Sequence, residues 1–371
     1  MFDVWIDAMP MRNSVKTSLC LLSVLLHFTT LNAQSSFDNL SVTVQQYYGS
    51  LVAIVPKTTY IRDSYSSFTE ITFSKQTDGS KDWHRYNNYP QTGVSFLYGN
   101  PGSKEYAGKS ISLFPFVNFS FIRQKNFKSS FRIGTGISWA EKPYDVNSNH
   151  KNTLIGSHLN NIIHLMQQNE IRLNNFLSLN AGFAFIHISN GGVKLPNFGL
   201  NIPTLSAGLR YSFNEKIIKD TSEINVDKKP EIRLLASAGA KQTPWAGSPR
   251  YVISFIGTEL IKPISGADEI GAGLDFFYDP SLTKDPSGYS KTNDKTENLQ
   301  VGVHAFYERK IGRLSIPVQL GVYIINASKR SGIYQNVGLR YQLSQHLSAF
   351  YYLKTHAGKA DYIHGGIGYL F

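Results

Sequence analysis

The chain has 371 residues, 17% charged and 13% aromatic, with a formal net charge of +11 and one cysteine. One cysteine excludes a disulfide framework and a thiolate metal centre, and many aromatics with few charges favour strands over a solvated helical protein. The positive balance suits an anionic partner, either a phosphate-rich lipid or nucleic acid.

In chain order, residues 1–10 carry two acids and a tryptophan and look like an extension upstream of a start at Met11. From Met11, Arg12 and Lys16 precede the apolar run Leu19–Phe28, and small Ala33 precedes Gln34, so residues 1–33 predict a secretory signal cleaved after Ala33. The run is too short and wrongly flanked for a membrane-spanning helix. Cys20 lies inside this signal, and the signal's two basic and two acidic residues leave the exported remainder at +11. Export turns the expectation away from nucleic acid and toward a lipid surface.

After the signal the chain alternates with period two. Phe131, Ile133, Thr135, Ile137 and Trp139 share one face, with Arg132, Gly134, Gly136, Ser138 and Ala140 opposite. Leu205, Ala207, Leu209, Tyr211 and Phe213 repeat the pattern against Ser206, Gly208, Arg210 and Ser212, as do Ile270, Ala272, Leu274, Phe276 and Tyr278 against Gly271, Gly273, Asp275 and Phe277. A soluble sandwich would place charges on its outer face. Here the second face is small or polar, as in a barrel lumen, and the first ends in aromatics, as at a lipid interface. The last residues, Ile363, Gly365, Ile367, Tyr369 and Phe371, alternate up to a terminal aromatic and resemble the signal read by the outer-membrane assembly machinery. The expected fold is all-β: a transmembrane antiparallel barrel of a Gram-negative outer membrane.

Sixteen segments read as strands, near 43–55, 68–77, 91–99, 108–123, 128–142, 154–172, 174–190, 202–215, 231–242, 250–263, 266–279, 297–310, 312–326, 331–344, 346–356 and 361–371. Fourteen strands also fit the pattern. A charged connector at 216–230 separates a block at 34–215 from a block at 231–371. One large barrel is the first expectation, with two eight-stranded units as the alternative.

The seventh strand ends in "FIHISNGGVKLPNFGLN", residues 185–201. Its register puts Leu177, Leu179, Ala181, Phe183 and Phe185 on the lipid face, and His187 and Ser189 continue that row. Their roots are about 7 Å apart in an extended strand, so a bend or favourable rotamers are needed for a serine–histidine hydrogen bond. A barrel chain starts in the periplasm, so odd strands run outward. The pair then sits beside outer-leaflet acyl chains, with residues 191–200 as an external loop.

H-x-S-N-G followed by K-x-P-N-x-G-x-N, within a barrel, resembles the lipid A 3-O-deacylase, or acyloxyacyl hydrolase, family of outer-membrane serine esterases. The resemblance spans roughly residues 40–215. It implies lipopolysaccharide modification: removal of the 3-O-linked acyl chain of lipid A, without metal or cofactor. Ser189 would be the nucleophile, His187 the general base, and Asn190 with the backbone N–H of Gly191 or Gly192 the oxyanion donors. Independently of the resemblance, Lys194 in the loop reads either as a contact to a lipid phosphate or as a solvated loop lysine. The family's orienting acid falls at the position of Asn201, and no Asp or Glu occurs between Glu170 and Glu215. Asparagine can hold a histidine tautomer, as in Cys-His-Asn proteases, but stabilises an imidazolium less than a carboxylate does.

His158 and Asn160, at the preceding strand's outer end, read as neighbours of this site or plain loop-end polar groups. His356 and His364, with Asp361 between them, lack ligand spacing and read as lumen or loop residues. Two other functions fit a barrel: a non-enzymatic pore or structural protein, and an outer-membrane phospholipase using the same serine chemistry.

Overall fold

The computed structural model describes residues 38–53, 56–214, 229–242, 247–284, 294–326 and 331–371. The signal at 1–33 and residues 216–228 of the connector lie outside the described residues.

The sixteen strands form where the alternation places them. They are β1 (Leu40–Gly49), β2 (Ser66–Gln76), β3 (Gln91–Asn100), β4 (Ser110–Arg123), β5 (Phe127–Ala140), β6 (Leu159–Arg172), β7 (Leu177–Ser189) and β8 (Leu200–Ser212), then β9 (Glu231–Gln242), β10 (Arg250–Pro263), β11 (Asp268–Tyr278), β12 (Leu299–Ile311), β13 (Leu314–Asn326), β14 (Ile333–Gln342), β15 (Leu347–His356) and β16 (Lys359–Leu370). A short helix, α1 (Asp82–Tyr86), lies between β2 and β3.

They do not close into one large barrel, the first expectation. They close into two eight-stranded barrels, the alternative, because β1 pairs with β8 from Ser41↔Ser212 to Gly49↔Thr204 and β9 pairs with β16 from Arg233↔Leu370 to Ala240↔Ile363. Each closure leaves no free sheet edge, which is what a bilayer requires of a strand-built span. Among the described residues no helix is long and apolar enough to cross a membrane.

Alternation translates directly into inside and outside. Ile137, Trp139, Phe183, Leu205, Ile256, Leu274, Ile367 and Tyr369 are exposed on the outer faces, whereas Arg132, Glu70, Asp275 and Glu259 are buried in the lumens. Several of the lumen charges form ion pairs. In the first barrel Arg132 meets Glu70 at 2.6 Å and Arg210 meets Glu170 at 2.8 Å. In the second, Arg233 meets Glu259 at 2.8 Å and Arg340 meets Glu308 at 3.0 Å. Desolvating each ion costs several kcal/mol, so removing one partner strands the other and costs about 3–5 kcal/mol.

The two ends of each barrel differ. Residues 124–126 turn β4 into β5 and 343–346 turn β14 into β15, while residues 141–158 connect β5 to β6 and 279–298 connect β11 to β12. Short turns face the periplasm and long loops the exterior in barrels of this kind, so β7 runs outward and ends at the external rim.

The barrels touch at both rims. On the short-turn side Arg309 Nε donates to Asn87 Oδ1 at 2.9 Å and Asn87 Nδ2 donates to the Lys310 carbonyl at 3.1 Å. On the long-loop side the Leu195 N–H donates to Gln242 Oε1 at 2.8 Å.

Candidate active site

At the outer end of β7 the facing rule inverts. Ile186 and Ile188 point into the lumen, where they pack with Ile162, Leu200 and Ile202, all 0% exposed. Their odd-numbered neighbours His187 and Ser189 therefore point outward. The apolar plug gives this strand end a rigid backing, and the polar pair lies on the lipid-facing side of it.

β7 and β8 are in register so that His187 stands directly opposite Asn201. Directly opposed side chains in an antiparallel pair have roots about 5 Å apart, close enough for imidazole and amide to meet. His187 Nδ1 lies 2.8 Å from Asn201 Oδ1, and His187 Nε2 lies 2.8 Å from Ser189 Oγ. The rotamers thus close the gap that an extended strand leaves between positions 187 and 189. Asn201 Nδ2 donates to the Gly199 carbonyl at 3.4 Å, which turns Oδ1 toward the ring. An acceptor at Nδ1 places the imidazole proton there, leaving the Nε2 lone pair to accept the Ser189 hydroxyl proton. Both ring nitrogens are thereby engaged. The acid-free interval from Glu170 to Glu215 has its structural counterpart: among the described residues an amide, and no carboxylate, meets the histidine.

The loop after Ser189 is tightly built. Gly191 and Gly192 adopt positive φ of 62° and 91°. Gly199, also at positive φ, lies under the histidine: a Cβ there would sit 2.6 Å from His187 Cε1. Asn190 is buried and braces the loop. Its Nδ2 donates to Ser157 Oγ at 2.9 Å and to the Lys194 carbonyl at 2.8 Å, and its Oδ1 accepts from the Gly192 N–H at 3.0 Å. Both amide protons of Asn190 are used, one inside the loop and one on Ser157 of the β5–β6 connection, while among the described residues no acceptor meets the Gly191 N–H. From the neighbouring loop, the Thr153 and Leu154 carbonyls accept from the Phe198 and Gly199 N–H groups at 3.3 and 2.9 Å.

Two profiles of one family cover these barrels. That of lipid A 3-O-deacylase (PagL) matches residues 69–210, and that of the acyloxyacyl hydrolase C-terminal domain matches residues 230–371. The chain belongs to the lipid A 3-O-deacylase family. As a deacylase-family barrel it is a protein of the outer membrane. Among solved structures it is similar to Neisserial surface protein A, at 12% identity over 47% of this chain and 97% of that one, with a TM-score of 0.33. It is also similar to the outer membrane enzyme PagL, at 19% identity over 45% of this chain and 97% of that one, with a TM-score of 0.31. A triple-mutant Rhodopseudomonas blastica porin aligns at 10% identity over 90% of this chain and 100% of that one, with a TM-score of 0.17. No curated protein sequence matches the chain.

Of the residues singled out in the sequence of this deacylase-family chain, His187, Ser189 and Asn201 form one hydrogen-bonded row, and Asn190 and Gly191 adjoin it. Lys194 contributes its backbone to the loop. Its charge reaches Asp145, whose carboxyl is held below the ordinary range by the Ser148 backbone N–H and hydroxyl, the Asn147 N–H and, last, Lys194. His158 stays outside the row, stacked on Trp139 with its Nδ1 2.8 Å from the Ala140 carbonyl. His364 is a lumen residue, and His356 Nε2 lies 2.9 Å from the Tyr323 hydroxyl. Sequence reading missed Ser157, Gly199 and Gln242. Gly199 alone carried a signal, as a glycine two residues before the amide opposite the histidine.

Proposed function

We propose that this outer-membrane protein hydrolyses an ester-linked acyl chain, at the 3-O position of lipid A, by a Ser189/His187 mechanism. The observation that carries this reading is His187 bridging Ser189 Oγ and Asn201 Oδ1, at 2.8 Å each, on the lipid-facing side of the outer rim. A substrate ester in the outer leaflet meets the pair from the bilayer, without passing through the lumen.

In the first half-reaction Ser189 Oγ attacks the ester carbonyl carbon as its proton passes to His187 Nε2. The Gly191 N–H is the natural donor to the developing oxyanion, and removing one such donor typically costs about 10²–10³ in rate. Collapse breaks the bond to the sugar oxygen, which takes the proton from Nε2, and the acyl group stays on Ser189. A water then attacks this ester, its proton again going to Nε2, and a hydroxy fatty acid leaves as Ser189 regains its proton. Asn201 keeps the Nδ1–H tautomer through both steps. As a neutral amide it stabilises the imidazolium less than an acid would. Asn190 shapes the loop that presents Gly191, and Lys194 offers its charge to a lipid phosphate.

Mass spectrometry of lipid A from cells making the protein tests the reading. Loss of one hydroxyacyl chain is expected with the wild type, and retention of that chain with Ser189→Ala. Loss of the chain with both would overturn the mechanism, and retention with both would overturn the function.

A further inference from the structure

The loop that carries the oxyanion donor is held from two sides, and one of them is the other barrel. Ile363 of β16 lies against Gly191: a Cβ built on Gly191 would be 2.2 Å from Ile363 Cδ1 and 3.6 Å from its Cβ. The Asp361 carbonyl is 2.9 Å from the corresponding position at Gly192. Gln242, the last residue of β9, accepts the Leu195 N–H at 2.8 Å, and its own amide is fixed by donating to the Ser248 carbonyl at 2.8 Å. One strand further, the Tyr351 hydroxyl donates to Asn161 Oδ1 at 3.2 Å, and Asn161 is the β6 residue directly opposite Ser189. Three strands of the second barrel therefore converge on the face of the first that bears the Ser189–His187 row.

We propose that the second barrel completes the esterase site of the first, with Ile363 and Gln242 as positioning residues for the Gly191 donor and Tyr351 flanking the approach of the scissile acyl chain to Ser189. The inference rests on the esterase reading above. Its physical content is threefold. An apolar side chain over Gly191 excludes water, and a backbone N–H acts far more strongly on an oxyanion in a dry, low-dielectric site. The Gln242 bond adds a hold from the second barrel to a loop that Asn190 and the neighbouring loop brace from within the first, and a displacement of about 1 Å at such a donor can cost roughly a hundredfold in rate. Tyr351, exposed on β15, sets its hydroxyl on the residue opposite Ser189, and an aromatic side chain accommodates an alkyl chain rather than a head group.

The test uses the full chain in the outer membrane. In the double variant Gly191→Cys/Ile363→Cys the two Cβ positions, 3.6 Å apart, fall within disulfide range. The exported chain has no other cysteine if the signal ends before Gln34. Peptide mass spectrometry after non-reducing digestion should find the two thiols joined. Free thiols in the folded, membrane-inserted protein would overturn the inference even if Ser189-dependent deacylation stands. Kinetics on detergent-solubilised lipid A form the second arm. Ile363→Ala and Gln242→Ala should lower kcat about tenfold with KM little changed, and Gln242→Glu, which keeps the acceptor, should restore most of it. Tyr351→Ala should raise KM and weaken discrimination between long and short acyl chains, whereas Tyr351→Phe should not. Wild-type kinetics in all of these variants would overturn the inference. A wild type without Ser189-dependent deacylation would instead overturn the esterase reading, and an intact cross-link in that protein separates the two failures.

Discussion

The two barrels have the same strand number, the same closure and the same plan of paired charges inside and apolar side chains outside, yet they differ in where a serine meets a histidine. In the first barrel Ser189 and His187 meet on the outer face, at a rim, with Asn201 behind the ring. In the second barrel Ser237 Oγ lies 2.7 Å from His364 Nδ1, but the histidine is 1% exposed inside the lumen. Only the first pair lies on an outer face, and of the two only its ring has the second nitrogen held by a side chain, since among the described residues His364 Nε2 has no hydrogen-bond partner. A hydrogen-bonded serine–histidine pair therefore does not by itself mark the proposed site. Facing, depth and a third group are what distinguish the pair proposed to react from the pair packed in the lumen.

The sharpest way to break this comparison is to remove one serine at a time. Ser189→Ala should lower acyl release roughly 10⁴-fold or more, as loss of a serine nucleophile does elsewhere. Ser237→Ala should leave the rate per folded molecule unchanged. Equal losses would dissolve the distinction.

A smaller effect is expected at the third group. Asn201→Ala frees the imidazole to take either tautomer and should cost about a hundredfold in kcat. Asn201→Asp supplies the acid of the resembling family and should match or exceed the wild-type rate. A faster Asn201→Ala would show that the amide plays no orienting part.

Gly199→Ala pushes a methyl group into His187 Cε1, on a backbone at positive φ of 78°. It should lower kcat about tenfold through ring displacement while the barrel remains folded. Smallest of the four, Ser157→Ala removes one hydrogen bond to Asn190. A neutral hydrogen bond is worth about 1 kcal/mol, so a loss of roughly threefold to tenfold is expected, read by the same acyl-release assay.

The alternation carried most of the fold. In β5, β8 and β11 the residues expected to face lipid, such as Ile137, Leu205 and Leu274, are the exposed ones, because a strand in a bilayer has one face in hydrocarbon and a period of two is the only way to satisfy it. The closure was not legible, since β1–β8 and β9–β16 pairing joins segments more than a hundred residues apart and leaves no local pattern. His187, Ser189 and Asn201 stood out because their spacing resembles a known motif, and the register then set Asn201 opposite the histidine. Ser157, Gln242 and Ile363 were invisible, because each reaches the loop from another loop or from the other barrel. Ion-paired lumens were only half legible: single charges such as Arg132 could be placed inside, but not matched to Glu70.

The central claim is that Ser189 itself becomes acylated. The most direct measurement is intact and peptide mass spectrometry of the purified protein, quenched in acid during turnover of lipid A. A hydroxyacyl adduct on the peptide containing Ser189, absent from Ser189→Ala and accumulating when the second half-reaction is slowed, is the expected result. Multiple-turnover deacylation with no adduct at Ser189, or with an adduct at another serine, would contradict it.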